Sequence, residues 1–99
     1  MQFMNVVKFK VKPGFVEDFL QAMNAQPCWE GSLWNRTIKT GDNDFCGCGL
    51  WVSKEAMWAQ MDNMVRFLDS IRDMLEEISP ELGVTDAVSG PVVSENKAD

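Results

Sequence analysis

From Phe3 to Lys12 the chain alternates, with Phe3, Asn5, Val7, Phe9 and Val11 on one side and Met4, Val6, Lys8, Lys10 and Lys12 on the other. That two-residue period predicts a strand. Pro13-Gly14 ends it, and Phe15, Val16, Phe19, Leu20 and Met23 then form one apolar stripe on a helix whose first turn carries Glu17 and Asp18, where carboxylates suit the positive end of the helix dipole. The helix should stop by Gln26, because the following Pro27 disfavours a helical backbone before it. Gly31 opens a second strand, Ser32 to Thr40, mixed on both faces as an edge strand is. The turn cluster Gly41 to Asp44 joins it to a third, Phe45 to Val52, in an antiparallel hairpin. That third strand puts Phe45, Gly47, Gly49 and Trp51 on one face and Cys46, Cys48, Leu50 and Val52 on the other. With no charge on either side, it reads as a central strand covered on both faces.

Ser53 is placed to cap a second helix starting at Lys54, with Glu55 in its first turn. Met57, Met61, Met64, Leu68, Ile71, Leu75 and Ile78 repeat in 4-3 steps. Such spacing fits a coiled-coil seam, but it fits equally one long helix, or two with a bend near Asp62-Asn63, packed on a sheet; a methionine-rich seam specifies a zipper poorly. Ser79-Pro80 marks the expected helix end, with Asp69, Asp73, Glu76, Glu77 and Glu81 on its solvated side. Val84 to Val88 supplies a last strand before Ser89-Gly90-Pro91 and Val92-Val93. We therefore expect a single domain over residues 1–93 and a flexible tail at 94–99.

The order strand, helix, strand, strand, helix, strand is the split arrangement of an α+β, ferredoxin-like βαββαβ fold with an antiparallel sheet. Its helices cover one sheet face. A chain of 99 residues has no third layer to spare, so the uncovered face is expected to meet a second copy, giving a homodimer through the sheet.

Composition narrows the function classes. A net charge of −6 repels a phosphate backbone and argues against a nucleic-acid partner; Lys8, Lys10 and Lys12 read as a solvated strand face. No stretch approaches the ~20 apolar residues of a membrane span, and no signal peptide is recognisable. Three cysteines, Cys28, Cys46 and Cys48, are too few for a disulfide scaffold and accord with a cytoplasmic location. On one strand face, Cys46 and Cys48 stand about 7 Å apart, too far for an unstrained disulfide, and two thiols without further ligands make a poor zinc site. No metal or cofactor is expected.

The run Val11-Lys12-Pro13-Gly14, the glycine-led second strand, the corner Trp51-Val52-Ser53-Lys54-Glu55-Ala56 and the closing Ser89-Gly90-Pro91-Val92-Val93 together resemble the dimeric α/β-barrel superfamily, and within it the antibiotic-biosynthesis-monooxygenase-like domains. The resemblance spans about Phe3 to Val93. It implies the ferredoxin-like dimer, and a superfamily whose members include cofactor-independent monooxygenases, haem-degrading enzymes and isomerases, so that fold alone does not fix activity. The haem-degrading branch uses a helical histidine with a mid-strand asparagine and a corner tryptophan. This chain has Trp51 at the corner but zero histidines, and Asn5 falls one pleat early in the first strand, so haem turnover is not expected.

A cofactor-independent monooxygenase must hold an electron-rich phenol or quinol, favour its deprotonated form and exclude water. Phe9, Trp34, Trp51, Trp58 and Met61 are the candidate lining of such an aromatic site, with Asn35 and Arg36 as polar contacts. The lack of tyrosine and histidine removes the commonest proton-handling side chains. The competing reading is a non-catalytic dimerisation or stress-associated module whose tryptophans and methionines fill the core. A cavity of ~300 Å³ or more beside Trp51 and a polar group would favour binding; a packed interior would favour the module.

Overall fold

The computed structural model describes residues 1–98. Its elements are β1 (Phe3–Lys10), α1 (Val16–Ala25), β2 (Ser32–Lys39), β3 (Asp44–Trp51), α2 (Lys54–Ala59), α3 (Met61–Ile71), a 3-10 turn (Arg72–Met74) and β4 (Thr85–Pro91). The four strands form one antiparallel sheet in the order β2-β3-β1-β4. This is the expected ferredoxin-like α+β arrangement, with β2 at one edge and β3 inside.

The alternation read from β1 and β3 decides which side chains meet the helices. Phe9, Val11 and Phe45 pack with Phe19 of α1 and with Ile71 and Leu75 in a first core cluster. Phe19 sits between the other two phenylalanines, its ring centroid 5.4 Å from that of Phe9 and 5.1 Å from that of Phe45, the separation at which offset or tilted aromatic pairs attract. At the other end of the sheet Phe3, Trp51 and Met57 form a second cluster against Trp29 and Met64.

The corner between β3 and α2 forms as its residues dictate. The Ser53 hydroxyl accepts a hydrogen bond from the Ala56 N–H at 3.1 Å, satisfying one of the donors a helix start leaves open. Gly31 approaches the same corner with φ of +86°, and a Cβ there would lie 2.7 Å from the Ala56 Cβ, so both backbone and space require glycine.

Three expectations are corrected. The break between helices falls at Gln60 rather than Asp62-Asn63. The last helix ends at Ile71, not Ser79, so of the acidic series only Asp69 lies on it. Lys12 N–H donates to the Met74 carbonyl at 2.8 Å, Glu76 N–H to Lys10 at 2.7 Å, and Val11 pairs with Leu75 in an isolated bridge. Since β4 pairs with β1 only from Phe3 to Phe9, residues beyond Phe9 have open backbone groups on that side, and residues 74–76 satisfy them in extended form. Finally, β4 runs through Pro91, where Ser89-Gly90-Pro91 was expected to follow the strand; Pro91 pairs opposite Phe3 and Val92 N–H donates to Gln2 at 2.9 Å.

Among the described residues no helix covers the sheet's other face. Met4, Val6, Trp34, Cys46, Cys48 and Leu50 lie there, with Ile38 and Val88 53% and 65% exposed. Arg36 lies over Trp34, 4.6 Å from its ring centroid. The Cys48 thiol is held above its ordinary range by burial first and by its neighbour Cys46 second, so it stays protonated at neutral pH.

Candidate functional site

The two core clusters do not meet in the middle of the sheet, and the residues responsible are Gly47 and Gly49 of β3. Each faces the helices and has no side chain to offer. Their partners on β1 are Val7 and Asn5, and the space left open is a cavity of about 200 Å³ roofed by α1 and α3. Val7, Phe9, Phe67, Leu68 and Ile71 border one end; Trp29, Trp51, Met61 and Met64 border the other. Among the described residues no Asp, Glu, Lys, Arg or Cys borders it, and its side-chain polar groups are the indole N–H groups of Trp29 and Trp51 with those of Asn5, Gln26, Asn35 and Thr85. A cleft of about 310 Å³ between the end of α1, the Pro27–Trp29 loop and β2 adjoins it at Met23, Gln26, Trp29 and Asn35.

The polar centre is a pair. Trp51 Nε1–H donates to Asn5 Oδ1 at 2.8 Å, which satisfies the one donor of an indole that is 2% exposed. Gly49 makes this possible: a Cβ at that position would stand 2.5 Å from Asn5 Oδ1 and 3.3 Å from Trp51 Nε1. Gly47 is less constrained, since its Cβ would meet Phe9 Cε2 at 3.4 Å and Met23 Cε at 3.7 Å.

Of the residues singled out in the sequence, Trp51, Phe9, Met61 and Asn35 border this cavity. Trp34 and Arg36 lie on the uncovered sheet face, and Trp58 is 55% exposed; none of the three lines the cavity. Asn5, set apart from the corner tryptophan in the sequence, is its hydrogen-bond partner. The available signal was strand register: Asn5 and Trp51 share a face, and the residue opposite Asn5 is a glycine. Trp29 carried no signal, because it lies in an irregular loop after Pro27 where no period assigns a face.

No family model matches the chain, and no curated protein matches its sequence. Solved structures do match in shape. The chain is similar to a protein provisionally named antibiotic biosynthesis monooxygenase from Chloroflexus aurantiacus, 12% identical with 98% of each chain covered and a TM-score of 0.73. A protein with the same provisional name from Deinococcus radiodurans is 8% identical, with 98% of each chain covered and a TM-score of 0.76. SnoaB, a cofactor-independent oxygenase from Streptomyces nogalater, is 12% identical over 95% of each chain, with a TM-score of 0.66. The chain thus has the fold of the antibiotic-biosynthesis-monooxygenase-like domains, as its motifs implied. At these identities the likeness extends to the fold.

Among the described residues no helix is long and apolar enough to cross a membrane.

Proposed function

We propose that this chain is a small-molecule-binding domain that holds a flat, largely apolar ligand of one or two rings between its helices and its sheet, in a cytoplasmic homodimer joined through the uncovered sheet face. The observation that supports this reading is the cavity beneath Gly47 and Gly49: aromatic and thioether walls around a fixed carboxamide-indole pair are the composition of a ligand site. Its volume of about 200 Å³ falls short of the ~300 Å³ set above as favouring binding, which restricts the ligand to a small one and counts toward the alternative below. Among the reactions open to such a site, cofactor-independent monooxygenation of an aromatic or quinol-type substrate fits best. There the protein contributes enclosure, orientation and a hydrogen bond, while the substrate itself supplies the electrons that reduce O₂.

The absence of a titratable side chain among the described cavity residues favours one alternative, a non-catalytic dimerisation or stress-associated module, because nothing at the wall takes the substrate's proton. Binding separates the two. Calorimetric titration with 1,4-naphthoquinone should saturate at one ligand per chain, and Gly47→Leu, which fills the cavity from the strand, should weaken it at least ten-fold. Oxygen uptake with 1,4-dihydroxynaphthalene above the rate without protein would establish turnover. No saturable binding by the wild-type protein would overturn the ligand reading and leave the module.

A further inference from the structure

The Asn5–Trp51 pair gives the cavity a fixed polarity. An indole N–H can only donate, so the oxygen of the Asn5 carboxamide must face Trp51 and the Nδ2 group must point away from it. Asn5 borders the cavity. Among the described residues Nδ2 has no acceptor, and it is not a buried atom left unsatisfied; on a residue that borders the cavity, it is a donor free to meet a ligand. The amide cannot turn over to present its oxygen instead, because that would set Nδ2–H against the indole N–H and leave both donors unpaired. Gly49 holds the amide in reach of the indole by leaving the space a Cβ would take.

Resting on the ligand-binding reading above, we infer that this site selects ring compounds bearing a hydrogen-bond acceptor without a donor, namely cyclic ketones and quinones, and discriminates against ring compounds that bear only a donor. The remaining polar groups do not cancel the preference. Asn35 is exposed on the edge strand β2 and can rotate, while Gln26 and Thr85 carry groups that donate or accept as required. No charged side chain borders the cavity among the described residues, so the favoured ligand is neutral.

Three two-ring ligands of nearly equal size test this by isothermal titration calorimetry: 1-indanone (acceptor only), indole (donor only) and indane (neither). The wild-type protein should bind 1-indanone about five-fold more tightly than indole, the ratio a single net hydrogen bond supports. Asn5→Asp, which keeps an acceptor for Trp51 but turns the second atom into an acceptor, should reverse the order, and Asn5→Leu should abolish it. Equal affinity of the wild-type protein for all three, or tighter binding of indole, would overturn the inference while leaving ligand binding intact. Failure of all three to bind, indane included, would overturn the binding reading and this inference together. The wild-type comparison decides the matter even if a variant at Asn5 does not fold.

Discussion

Gly49 is the residue on which the site's geometry depends, for a reason unrelated to backbone freedom. Its φ is not positive; what matters is that a Cβ would stand 2.5 Å from Asn5 Oδ1. Gly49→Ala should therefore push the amide off the indole and leave the Trp51 N–H without a partner in a nearly closed environment, at a cost of about 1–3 kcal/mol. Gly47→Ala, whose Cβ would make an ordinary contact at 3.4 Å, should cost clearly less. Urea denaturation of the two variants measures the difference; equal midpoints would show that the Asn5–Trp51 bond contributes nothing to stability. These two glycines also mark how far the sequence could be read at this scale. Alternation placed both on one face of β3 with Phe45 and Trp51, without saying that this face meets the helices, and Trp51 was recognisable as a corner residue. Alternation suggested only close packing, however. That the glycines hollow out the core, and that Asn5 reaches Trp51 diagonally across two strands, depends on register, which a face pattern does not specify.

At the scale of elements, local chemistry was sufficient wherever the neighbouring chain did not intervene. The strand ended by Pro13-Gly14, the helix stopped before Pro27, the hairpin around Gly41 to Asp44 and the Ser53 cap all form as their residues dictate. The 4-3 stripe from Met57 to Ile78 failed partway because the same apolar spacing serves a helix up to Ile71 and an extended segment after it. Leu75 remains in the core, 2% exposed, but as the partner of Val11 in a β-bridge, filling the place beside β1 that β4 leaves vacant. This makes Leu75 and Ile78 unequal, although a continuous helical seam would make them alike. Leu75→Ala should lower stability by about 3 kcal/mol, as for a large-to-small change in a packed cluster, whereas half-buried Ile78 should tolerate alanine with a smaller loss. Thermal or urea unfolding of both variants reads the contrast, and equal losses would contradict the bridge.

For the whole molecule, the decisive feature is the uncovered face of the sheet. Met4, Val6, Cys48 and Leu50 run along its two inner strands, flanked by Trp34 and Ile38 on one side and Val88 on the other. A single chain leaves this apolar surface in water, and joining two such faces would remove it at about 25 cal/mol per Å² before the costs of association are subtracted. Charge opposes the encounter: each chain carries −6, so two copies repel at long range, while the ions on the face, Lys8 opposite Asp86 and Arg36 beside Trp34, are of both signs. Two outcomes follow from that balance. Light scattering behind size-exclusion chromatography should give twice the mass of a chain at micromolar concentration, and raising salt from about 0.05 to 0.5 M should strengthen the dimer, because the Debye length shrinks from about 14 Å to about 4 Å and screens the net repulsion. Val88→Asp tests the face directly. Val88 is 65% exposed in the single chain, so the change should leave the monomer's fold and circular dichroism intact, yet it sets a carboxylate within the apolar surface and should shift the protein to half the mass. A wild-type protein that is monomeric at every salt concentration, or a Val88→Asp variant as dimeric as the wild type, would mean that this face is not where two copies meet.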